Sequence, residues 1–155
     1  MNHLLQIILL SIAPISELRG GIPLALAYQM PPLTAFLLCT LANIAMIPIA
    51  FFFLDTLNNL FLKIPSYARF FHFTLERARK RAHKQVERYG PLGLMILVAI
   101  PLPLFGAYTG ILGSWALGMD RKKSLALIIL GTIIAGIIVT LLSYYGMHVF
   151  AILNS

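Results

Sequence analysis

Glu17-Leu18-Arg19-Gly20-Gly21-Ile22-Pro23 sets an acid, a base, two glycines and a proline inside an otherwise apolar run, residues 4–28. A charged side chain at the centre of a bilayer costs roughly 2.5–3.5 kcal/mol on insertion scales, so its retention points to a function. Glycine and proline beside the charges point to a broken helix. At membrane depth such a break is tolerated where it is buried in protein or lines a cavity.

Around this stretch the chain is strongly apolar. Its 155 residues are 59% hydrophobic and only 11% charged, with a mean hydropathy of +0.88. Soluble domains carry about a quarter charged residues. The composition defines a single integral membrane domain. Four apolar blocks follow one another: residues 4–28, 33–54, 92–117 and 124–145. The second and fourth carry no charge and are long enough to cross once, at about 20 residues per crossing. The first is interrupted by the charged motif and the third by Pro101-Leu102-Pro103 and Gly106. Each is either one kinked span or a re-entrant hairpin. The limbs, residues 4–13 and 22–28, then 92–100 and 104–117, are each shorter than a span.

Charge favours the hairpins. With two hairpins and two spans, all of the 12 Lys and Arg except Arg19 fall on the face of residues 55–90. With single spans, Arg121, Lys122 and Lys123 fall opposite. The positive-inside rule prefers the first arrangement and places the basic face in the cytoplasm, with both termini outside. The first ten residues lack a basic leader and are read as retained structure.

The halves also read as a repeat. Pro14 and Pro101, Gly20 and Gly106, Thr34 and Ser124 lie 87, 86 and 90 residues apart. Hairpin-then-span therefore occurs twice, at residues 1–54 and 91–146, joined by a basic connector at 55–90. Under the charge-based topology the two repeats are inverted, a recurrent transporter plan. The fold expected is all-α and membrane-integral.

Residues 69–88 read as an amphipathic helix, with Leu75, Ala78, Ala82 and Val86 on one weakly apolar stripe. Its cations and the preceding Phe70, Phe71 and Phe73 suit a membrane surface rather than nucleic acid. His72 and His83 lack companions at ligand spacing, and Cys39 is alone, so neither metal nor cofactor is expected. Small-residue pairs (Gly106 and Gly110, Ser114 and Gly118, Gly131 and Ala135, Thr132 and Gly136) suit close helix packing inside the chain or at a dimer face. Asn43 and Thr132 sit mid-span, where a polar side chain seeks a partner. Asn43 bonds either to a broken hairpin or to a neighbouring helix. Pro48 suggests a kink, and Trp115, Tyr144 and Tyr145 suggest interface anchors.

Glu17 and Arg19 cannot face each other on a continuous helix. Gly20, Gly21 and Pro23 would let the backbone turn there and bring them together. A buried carboxylate without a full partner can exchange protons, which makes Glu17 a candidate proton carrier. The bland reading is a structural Glu–Arg pair. Arg19 suits phosphate or carboxylate, and helix starts at the breaks add amide donors. Tyr108 and Thr109 could supply hydroxyls. Glu17 alone suits a cation.

Residues 16–23 and the run Pro101-Leu102-Pro103-Leu104-Phe105-Gly106-Ala107-Tyr108-Thr109-Gly110 resemble the signatures of the small multidrug export protein family over nearly the whole chain. That family is distantly similar to the DedA membrane proteins. The latter resemblance implies two facing re-entrant hairpins and proton-dependent movement of polyprenyl phosphate lipids, with Glu17 and Arg19 at membrane-embedded acid and base positions. DedA proteins carry arginines in the second hairpin; residues 101–110 carry no arginine or carboxylate. The expected function is proton-coupled translocation of an amphiphile, Arg19 taking an anionic head and Glu17 the proton. Efflux of cationic drugs and a non-transporting lipid organiser are the alternatives. Acids and histidines are too few in the apolar blocks for an enzyme. The expected partners are membrane lipids, and the small size suggests a homodimer.

Overall fold

The computed structural model describes residues 2–102 and 105–153. Every regular element in the described residues is an α-helix: α1 His3–Ile12, α2 Glu17–Ala27, α3 Pro32–Thr56, α4 Asn58–Phe61, α5 Pro65–Tyr89, α6 Leu92–Ala99, α7 Ala107–Ala116 and α8 Arg121–Leu153. Proline opens α3 and α5, where its missing N–H would be unpaired anyway. Gly90, at φ +63°, ends α5 in a conformation that L side chains rarely adopt.

Among the described residues, only α3 and α8 are long and apolar enough to cross a bilayer. They lie antiparallel. Gly136 of α8 abuts Phe36 and Thr40 of α3, while Arg121, opening α8, forms an ion pair with Asp55 near the end of α3. The Asp55 carboxylate also accepts a hydrogen bond from Trp115 Nε1 at 3.1 Å. One acid thus fastens α7, α8 and α3 at the same end, and Trp115 is more than a lipid anchor. Asp55→Asn should cost about 0.2–1 kcal/mol, as expected of a partly exposed pair. Chemical unfolding measures that cost. Trp115 is the chain's single tryptophan, so its emission should shift with the same substitution.

Four shorter helices fill the space beside α3 and α8 as two pairs. In the first, α1 and α2 run antiparallel: Tyr28 donates to Gln6 Oε1 at 2.8 Å, and its ring lies tilted against His3 with centroids 4.1 Å apart. The connecting residues 13–16 contain Pro14, and the sequence-based placement of the turn is corrected accordingly. Glu17 already opens α2, and Gly20, Gly21 and Pro23 lie inside that helix. Gly20 and Gly21 serve close packing instead. A Cβ at 20 would meet Ser16, and one at 21 would meet Ser11 and Cys39. Pro23 cannot supply the N–H that would bond the Arg19 carbonyl one turn back.

In the second pair, α6 and α7 flank a break whose described residues are 100–102 and 105–106, with Gly110 of α7 against Val98 of α6. The amphipathic α5 packs on both. Gly93 abuts the Gln85 backbone, and Gly113 abuts Ala78 and Ala82. The small stripe expected to lie on lipid is thus covered by protein, while Arg77, Arg79, Lys80, Lys84 and Arg88 stay exposed. Glycines 110, 131 and 136 are likewise filled from within the chain by Val98, Ile128, Thr40 and Phe36. These small residues pack internally, so the dimer-face reading loses them.

Candidate functional site

The two breaks meet. Glu17 is only 8% exposed. Its Oε1 accepts the Tyr108 N–H at 3.3 Å, and the Ala107 N–H lies beside it. These amides belong to the first turn of α7, which has no intrahelical acceptors for them and carries the positive end of the helix dipole. The first pair's acid therefore closes the open helix end of the second. Tyr108 Oη also donates to the Ile12 carbonyl at 2.5 Å, at the end of α1. Both bonds run in the same sense, from Tyr108 of the second pair to acceptors of the first.

Local backbone accommodates this contact. Glu17 has φ +47°, rare for a residue with a Cβ. Such conformations cost of order 1–3 kcal/mol and persist where surrounding contacts hold them; here the holding contacts are the α7 amides. Gly106 lets the carboxylate approach, since a Cβ there would overlap the Glu17 carboxyl. Pro101 lies half-buried in the second break, Thr109 sits half-buried in the first turn of α7, and Pro103 falls outside the described residues.

Arg19 is half-buried on α2. No ion pair joins it to Glu17 within 4 Å among the described residues, in keeping with their spacing on a continuous helix. Both residues border a small cavity of about 10 Å³, together with Asn43, Thr132, Ala135 and Val139. That is close to the room of one water. Asn43, buried on α3, donates from Nδ2 to the Ser11 carbonyl at 2.9 Å. Of its two expected alternatives it takes the broken pair, and it pins the end of α1 to a spanning helix. Thr132 instead bonds back to the Ile128 carbonyl of its own helix at 2.8 Å.

Among the sequence-based candidates, Glu17, Gly106 and Tyr108 meet directly, and Arg19 and Asn43 share the cavity with Glu17. Gly20, Gly21 and Pro23 shape α2 behind them. Ser11, Ile12 and Ala107 contribute through backbone atoms, for which a sequence carries no letter. Asp55 was readable as a lone acid ending an apolar block, but its two partners lie 60 or more residues away.

Two apolar helices of spanning length, flanked by two broken helix pairs whose tips share a buried acid, define a small helical membrane protein built around an internal polar junction. The chain belongs to the family described as "Putative small multi-drug export protein", whose family model matches residues 17–138. The match includes Glu17, Arg19 and the whole second break. It places the chain among membrane transporters. No curated protein matches the chain. No solved structure matches it either.

Proposed function

We propose that the protein is a proton-coupled transporter, not an enzyme, that moves an amphiphile bearing an anionic head such as a lipid phosphate. The observation that carries the reading is the Glu17 carboxylate bridging the two breaks with Arg19 on the same cavity wall. Ionised Glu17 makes a charge-assisted bond to the α7 amides and holds the tips closed. A proton delivered to its carboxyl removes the charge, weakens that bond and frees the tips to part. The titratable or charged groups facing Glu17 are Arg19 on α2 and Tyr108 on α7, while α3 and α8 present Asn43 and Thr132. The Arg19 guanidinium, with no ion-pair partner among the described residues, suits a phosphate.

The proposal includes two inverted repeats with re-entrant hairpins. In support, α1 and α6, α2 and α7, α3 and α8 begin 89, 90 and 89 residues apart. Helices α1, α2, α6 and α7 have 10, 11, 8 and 10 residues. At about 1.5 Å per residue each reaches roughly half of a ~30 Å hydrocarbon core. The first pair opens at the end of α3 that carries Pro32, and the second at the end that carries Asp55, so the tips converge from opposite sides. The Asp55–Arg121 pair draws residues 121–123 to the basic α5 side. That supports a cytoplasmic α5 and outer termini, in the inner membrane of a cell. The proposal retains lipids as partners and a homodimer, because a water-sized cavity is no pathway until the tips part or a second copy completes it.

The test is uptake of a labelled long-chain alkyl phosphate by proteoliposomes under an imposed pH gradient. Transport should follow the gradient. Arg19→Ala should weaken phosphate-lipid binding about 10- to 100-fold, the loss of a hydrogen bond to a charged group. Arg19→Lys should keep part of it, as a point charge without the planar fork. Uptake indifferent to the gradient would overturn coupling. Cationic amphiphiles that bind in competition with protons would replace the phosphate reading with drug export, as the family description suggests. Substitutions at Glu17 and Arg19 that change only stability would leave a lipid organiser.

A further inference from the structure

Beside the junction, but separate from its small cavity, lies an open groove of about 370 Å³ between α3, α5 and α7. This is within the size range of small-molecule sites, roughly 300–1,000 Å³. Pro14, Met46, Phe53, Tyr67, Phe71 and Tyr108 are among its walls, and no lining residue carries a charge. Its two tyrosine hydroxyls are already engaged. Tyr67 donates to Asn58 Oδ1 at 3.0 Å, and Tyr108 donates to the Ile12 carbonyl.

These facts select the occupant. An extended peptide at membrane depth would need partners for its own amides and carbonyls, and the lining hydroxyls are bound elsewhere. A flexible hydrocarbon chain needs none. Tyr108 further ties the groove to the junction. The residue forms part of the wall, its N–H holds Glu17 and its hydroxyl holds α1.

We infer that the groove is the tail subsite of the transporter: it takes the single hydrocarbon chain of an amphiphile whose head is handled at Glu17 and Arg19. The inference rests on the transport reading given above and adds where the apolar part of the substrate travels. Filling the groove presses on the residue that closes the tips, so tail occupancy and tip closure are linked.

The experiment is photolabelling of the reconstituted protein with a long-chain alkyl phosphate carrying a diazirine at the chain end, and in parallel with the matching alkyl trimethylammonium. Labelled peptides should map to residues 46–54 and 108–112. Ala50→Leu and Ala50→Phe, which fill the groove, should cut labelling about tenfold, the room of roughly two methylenes. Leu41→Phe, on an exposed face of α3, should not. Should a filled variant fail to fold, peptide mapping on the unaltered chain still locates the probe. Labelling by the trimethylammonium probe alone would support the tail subsite while overturning the phosphate head. Labels spread evenly over exposed α3 and α8, or undiminished in both Ala50 variants, would overturn the tail subsite. Cross-linking of two copies through Met46→Cys, with no probe in the groove, would also overturn it and assign the groove to a second copy.

Discussion

Glu17→Gln should abolish the dependence of transport on pH while leaving the protein folded. The amide oxygen of glutamine can still accept the Tyr108 N–H that Glu17 accepts at 3.3 Å. The junction keeps its shape and loses its charge. A hydrogen bond to a charged acceptor contributes about 1.5–3 kcal/mol and a neutral one about 0.5–1.5. The net change in stability should stay within about 1 kcal/mol, since glutamine also spares the burial of an ion. Glu17→Ala is the contrasting variant. It removes the acceptor altogether, leaves the α7 amides unpaired and should cost about 1–3 kcal/mol. Transport assayed across external pH separates the two. A flat profile with normal thermal unfolding is the result expected for glutamine; an unchanged profile would refute Glu17 as the proton carrier.

Gly106→Ala should disable the protein through shape rather than charge. The new methyl would overlap the Glu17 carboxyl, and the Glu17 backbone is already held at φ +47°. Forcing a methyl into a filled site costs about 1–3 kcal/mol. Relief would come by separating the tips, which would also break the Tyr108–Ile12 bond. The backbone at Gly106 has φ 169°, an extended conformation open to any residue, so alanine is excluded by its neighbour alone. That makes the effect reversible. Glu17→Ala combined with Gly106→Ala should be more stable than the sum of the single changes predicts, by about 0.5–3 kcal/mol in a double-mutant cycle. Gly146→Ala, where a Cβ meets nothing within 4 Å, is the control. Additive losses would show that the methyl clashes with something other than the Glu17 carboxyl.

The sequence made the acid conspicuous because charge is rare in an apolar run, and the uncharged 33–54 and 124–145 blocks announced the two long helices. The turn was less legible. Gly20, Gly21 and Pro23 carry turn chemistry, yet α2 runs through them; the glycines allow approach to Ser11, Ser16 and Cys39. Helix propensity and packing have the same letters there, and packing wins. The partner of Glu17 was hidden for a different reason. It is the backbone of Tyr108, whose N–H any residue but proline could present. The amphipathic stripe on α5 was readable, but not what would cover it. Small residues such as Ala78 and Ala82 fit a close helix contact and a membrane surface alike, and only the position of Gly113 decides between them.

The junction also sets the order in which the protein can be built. During synthesis α1 and α2 emerge first, and the amide that receives the Glu17 carboxylate follows 91 residues later. Until then the acid has water, lipid headgroups or a proton for company. The Asn43–Ser11 bond, made within the first third of the chain, can hold α1 against α3 meanwhile. Contacts so distant in sequence close late and slowly. The first half of this protein is therefore an unfinished object in the membrane, completed only when α7 arrives.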